Sequence, residues 1–138
     1  MKSLFLVFFY ILTYSISNAQ ITDLTGSWEI VEFAINSDGN SDKKTEEQLK
    51  KEGSVWNLFF MNDDKFKQTS NMSGTGTMDS QEGTWNILNN NLTLELLMNG
   101  QKFKLNYTYM VEENMLVLTR SNPMGTMKII SKFKKDLK

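Results

Sequence analysis

The sequence predicts an all-β protein: an up-and-down antiparallel β-barrel of about eight strands, with one short helix or lid loop between the first two. Three observations carry this. Short apolar alternations separated by Asn, Asp and Gly run from position 26 onward, and the only proline is Pro123. Two-residue turn signals join the best of these runs into consecutive hairpins. A meander of hairpins leaves two bare edges unless it closes on itself.

The first nineteen residues read as a separate object. Lys2 supplies a positive start, "LFLVFFYIL" is an apolar run of signal-peptide length, and Ser17 and Ala19 place small residues before a cleavage site. The run is too short to span about 30 Å of hydrocarbon comfortably. Residues 1–19 are therefore expected to be a cleaved secretory signal. Residues 20–138 then form one domain, exported to the periplasm or the exterior, soluble and without a stable membrane anchor. The 138 residues suffice for one modest core. A formal net charge of −1 gives no general attraction to nucleic acid. With neither Cys nor His in the chain, disulfides, thiolate chemistry and the commonest metal ligand are excluded.

"GSWEIVEFA" reads as the first strand. Glu32 shares alternation with Trp28 and Ile30. It points either inward, where it could meet a ligand head group, or outward if a bulge intervenes. "SDKKTEEQLKKEG" (41–53) breaks the strand pattern. Thr45 with Gln48 three residues later is a capping-box signature, and Gly53 is a helix terminator. A short exposed helix is expected, with a solvated polar loop as the alternative, at one barrel end. "VWNLFFM" and "KFKQTS" flank "NDD" as a hairpin that brings Phe60 near Phe66.

The best-defined hairpin is "NLTLELLMNGQKFKLNYTYM", turned at Asn99-Gly100. That turn pairs Met98 with Gln101, Leu96 with Phe103, Leu94 with Leu105 and Leu92 with Tyr107. The other face pairs Glu95 with Lys104 and Thr93 with Asn106. A one-residue slip would destroy both patterns. Asn89-Asn90 extends the sheet upstream, setting Ile87 by Leu92, Trp85 by Leu94 and Gly83 by Leu96. Downstream, "EEN" (112–114) is read as a three-residue turn that sets Val111 by Met115 and Tyr109 by Val117. The last strand, "TMKIISKFKK", points Lys128, Lys132 and Lys134 out and Met127, Ile129 and Phe133 in.

The phrase Gly-small-Trp-polar-Ile occurs twice, as "GSWEI" (26–30) and "GTWNI" (83–87). The flanks do not match, so a duplication is not the explanation. Glycine permits a bulge or a close backbone approach, and a tryptophan two residues on can fill a barrel end if its N–H finds a partner. Gly26, Trp28, Gly83 and Trp85 are thus expected at the barrel floor.

"LTGSWEI", a long following loop and a strand meander together resemble the lipocalin family. The chain is similar in particular to small exported lipocalin-like domains of Bacteroidetes. Gly26-Ser27-Trp28 looks like the family's Gly-x-Trp motif, with Gly83-Thr84-Trp85 as a second copy. The resemblance implies a cup-shaped, calycin-like barrel that binds small hydrophobic or amphipathic molecules, with Trp28 closing its base and the 36–54 segment as a lid. It also implies a basic residue on the last strand, packed over the tryptophan. The only arginine, Arg120, falls on the seventh strand by this count.

On the expected inner face, Leu96, Met98, Phe103 and Leu105 supply apolar wall, and Tyr107 and Tyr109 add hydroxyls that can orient a head group. With Glu32 these are the candidate ligand-binding residues. The alternative is that the same side chains fill the barrel, and that the protein acts by contacting another protein in the cell envelope, for instance as an inhibitor. No catalytic residues, metal ligands or cofactor are expected. Most carboxylates fall in turns or in the helix, and Ser or Thr without a base is no nucleophile.

Overall fold

The structure, a computed structural model, describes residues 24–72 and 76–137. The expected signal peptide and its cleavage site lie outside the described residues. The described elements are β1 (Gly26–Ser37), β2 (Asn40–Lys44), α1 (Glu46–Glu52), β3 (Trp56–Phe60), β4 (Lys65–Ser70), β5 (Asp79–Leu88), β6 (Asn91–Met98), β7 (Gln101–Glu112), β8 (Met115–Ser121) and β9 (Met127–Lys135). Eight antiparallel strands, β1 and β3 to β9, form the barrel wall, and a β1–β9 seam closes it. β2 folds back on the upper half of β1, from Phe33↔Lys44 to Ser37↔Asn40.

The central hairpins adopt the expected register. Met98 faces Gln101, Leu96 faces Phe103, Leu94 faces Leu105, and Leu92 faces Tyr107. Gly83, Trp85 and Ile87 face Leu96, Leu94 and Leu92. Phe60 faces Phe66, with ring centroids 5.1 Å apart. The inner faces of these strands make the core, in which Leu58, Phe60, Phe66, Leu92, Leu94, Leu96 and Phe133 are buried.

Four expectations need correction. The β7–β8 turn holds two residues, not three: Glu112 faces Met115, and both Glu113 (φ 49°) and Asn114 (φ 64°) are left-handed. The slip turns Leu116 and Leu118 into the core and sends Met115 and Val117 outward. Burying two leucines outweighs the strain of a left-handed glutamate. Second, of the two orientations open to Glu32 the outward one holds, which removes it from the ligand-contact residues: β1 carries a bulge between Ile30 and Glu32 that turns Glu32 outward and Phe33 inward. Third, the 36–54 segment is no open lid loop. An Asp38-Gly39 turn, with both residues at positive φ, folds it into the β1–β2 hairpin. The helix therefore lies between β2 and β3.

The fourth correction concerns the place of α1. Its ends are as expected: Thr45 and Gln48 form a reciprocal capping box, and Gly53 closes the helix in the left-handed conformation. It does not sit over a barrel end. β1 pairs with β3 only over Gly26–Glu29, and α1 covers the wall above that stretch by inserting Leu49, which is 1% exposed, into the core. Glu46 anchors the helix to β9: Lys134 Nζ lies 2.8 Å and Lys50 Nζ 2.7 Å from its Oε1. Those two ammonium groups, Lys134 foremost, hold the Glu46 carboxyl down at about 2. It stays charged well below the ordinary carboxylate range.

At the closed end, both expected tryptophans donate to backbone carbonyls. Trp28 Nε1 lies 2.9 Å from Leu24 O, and Trp85 Nε1 lies 3.1 Å from Met61 O. Trp28 is buried, whereas Trp85 is half-buried against Phe60. The basic residue over Trp28 is Lys135 on β9, its Nζ 5.6 Å from the ring centroid. Arg120 lies on the seventh wall strand, β8, near the other end.

Candidate ligand-binding site

Hairpin geometry decides where the barrel is hollow. At the closed end, large side chains from every wall strand meet. Toward the open end the inner positions become smaller or polar: Gln68 and Ser70 on β4, Gln81 on β5, and Ser131 on β9. A cavity of about 310 Å³ opens there. Its apolar lining comes from Phe33, Trp56, Met72 and Ile129. Its polar lining comes from Gln68, Ser70, Asp79, Gln81, Tyr107, Arg120 and Ser131.

Two polar groupings face each other across it. On the β3–β5 side, Trp56 Nε1 donates to Gln68 Oε1 at 3.1 Å. Gln68 Nε2 then donates to Gln81 Oε1, and Gln81 Nε2 donates to Met98 Sδ at 3.3 Å. Each amide is thereby oriented by its neighbour. Trp56 also packs edge-on against Phe133 at 5.1 Å, which fixes its ring as the cavity wall. On the β7–β9 side stand Tyr107, Arg120 and Ser131. Burial pushes the Tyr107 phenol up, and the positive charge of the nearby Arg120 guanidinium pulls the other way. Ser131 is the one buried polar residue among those described, 2% exposed.

Of the residues expected to bind ligand, only Tyr107 borders this cavity. Leu96 is fully buried in packed core. Leu105 and Tyr109 pack against the same core. Met98 and Phe103 face the inner side of their hairpin but are 37% and 44% exposed. The reason is stagger. β7 pairs with β8 only from Thr108 on, so the β6–β7 hairpin tip projects past the end of β8. Glu32 lies on the outer surface, 3.1 Å from Lys132 and 3.3 Å from Lys43. Partial burial raises the Glu32 carboxyl, but the two lysines outweigh it, so the group lies below its ordinary value.

The residues missed were legible by parity. Gln68 alternates with Phe66, Gln81 with Gly83 and Trp85, and Ser131 with Ile129 and Phe133. A polar residue at an inward position is the signal of a cavity, since burying it in packed core is unfavourable. Phe33 carried no such signal, because the bulge inverts its parity.

No curated protein matches the chain in sequence. Among solved structures, a lipocalin-like protein from Bacteroides uniformis superimposes with a TM-score of 0.55 at 17% identity, over 82% of this chain and 98% of that one. An uncharacterized protein from Bacteroides eggerthii superimposes with a TM-score of 0.54 at 13% identity, over 83% of this chain and all of that one. At such identities the likeness bears on the fold alone. The family model of the lipocalin-like domain matches residues 24–118, from the Trp28 carbonyl partner to the inner leucines of β8. By that match and by its closed barrel, the chain belongs to the lipocalin-like domain family.

Proposed function

We propose that the protein is an exported binding protein for a small amphipathic molecule held in the open half of the barrel. The observation that carries the reading is the cavity of about 310 Å³, at the low end of ligand-pocket volumes, with aromatic walls and a few oriented polar groups. The export part rests on the Lys2, apolar-run and Ala19 pattern. N-terminal sequencing of the mature protein should read from Gln20. An intact Met1 would sink that part.

Trp56 makes the cavity testable. A neutral apolar dye such as N-phenyl-1-naphthylamine, bound against its ring, should light up on indole excitation. Trp56→Phe should lower that energy transfer more than Trp85→Phe does, while binding, followed by direct dye excitation, persists. Failure of the wild-type protein to enhance the dye at all would overturn the cavity reading. The alternative of a protein-binding module would then take over, since Leu97, Met98 and Phe103 expose apolar surface at the projecting hairpin tip.

A further inference from the structure

We infer that the ligand is a monoanion, its carboxylate bound by the Arg120 guanidinium together with the Tyr107 hydroxyl, and its apolar body lying against Trp56 and Phe33. This rests on the cavity reading above and names the class of molecule it serves. Arg120 is the only arginine in the chain. It follows Leu116 and Leu118 at inward positions of β8, opposite Ile129, and lines the cavity.

Seven ion pairs of the barrel and helix join lysines to glutamates, and Arg120 is in none of the seven. The guanidinium's neighbour is the Tyr107 phenol, and Arg120 is the one cationic side chain among the cavity's lining residues. A planar guanidinium offers parallel N–H groups that match a carboxylate two-to-two. Ser131, on the adjoining strand, adds a buried hydroxyl to the same wall. Asp79 stands across the cavity on β5. With one cationic side chain in the lining, the site matches one anionic group, so the inference is a monoanion and not a dianion. Arg120 is exposed at the mouth, so the charged head stays near water while the body enters.

The experiment compares decanoate, decanol and decylamine by calorimetry at neutral pH on the full mature chain. Decanoate should bind about tenfold more tightly than decanol, as a charge-assisted hydrogen bond at a partly solvated site allows, and decylamine more weakly than either. Arg120→Gln should bring decanoate down to the level of decanol and leave decanol unchanged. Tyr107→Phe should weaken decanoate less. Circular dichroism checks that both variants fold. If decanol matches decanoate in the wild type, or if Arg120→Gln binds decanoate as before, the anion inference is wrong although the cavity reading survives. If none of the three binds and the neutral dye also fails, the cavity reading falls with it.

Discussion

Replacing Gly83 with alanine should destabilise the barrel by about 3 kcal/mol, at the upper end of overpacking effects. A Cβ at this position would lie 1.8 Å from the Glu95 carbonyl oxygen, 2.8 Å from its carbon and 3.0 Å from Leu96 Cα. These are backbone atoms of the neighbouring strand, so no side chain can swing away. β5 and β6 would have to separate where Gly83 sits between Phe66 and Leu96, both 1% exposed. Gly100→Ala is the control. Nothing lies within 4 Å of its Cβ position, and only the left-handed φ of 78° is strained, which costs about 1 kcal/mol. Urea denaturation of the two variants separates the explanations. Equal midpoints would show that the close approach in the β5–β6 ladder does not govern stability.

Trp28→Ala should cost about 3–5 kcal/mol, as aromatic truncations in packed cores do. The indole is 1% exposed, and its loss also strips the Leu24 carbonyl of its donor and Lys135 of the ring it lies over. Trp85→Ala should cost less, because that ring is half-buried and its carbonyl partner, Met61, lies beside solvent. Denaturant unfolding followed by circular dichroism checks the order. A Trp85 variant less stable than the Trp28 variant would mean that the closed end is organised around the second Gly-x-Trp phrase.

The two phrases look alike but answer different constraints. Gly26 adopts φ 130° with the Lys135 side chain 3.2 Å from where a Cβ would be, whereas Gly83 has ordinary strand geometry and is pressed by backbone. The sequence could announce that glycine was needed twice, but not that the reasons differ. The same limit appears elsewhere. The Asn99-Gly100 register was readable because alternation on both strands and turn type agree. At 112–114 they compete, and the turn preference of Asn114 pointed to the wrong loop length. β2 was hidden because "NSDKK" is wholly polar, exposed up to Lys44, and shows no alternation, although Asp38-Gly39 is as strong a hairpin turn as Asn99-Gly100. Val31, the extra residue of the bulge, has no sequence mark at all. That single residue removed Glu32 from the interior and put Phe33 there.

The β1–β9 seam has a consequence for how the chain folds. Apart from β1–β3, which spans β2 and α1, every other pairing joins consecutive strands, so those hairpins can form with short loops to close. The seam joins the two ends of the described chain, from Trp28↔Lys135 to Ser37↔Met127. It therefore closes the longest loop of the fold and raises its contact order. Folding should be slow for a domain of this size, with the meander assembled before the ends meet. Substitutions along β9 would then speed unfolding and leave the folding rate nearly untouched, whereas those in the β6–β7 hairpin would slow folding.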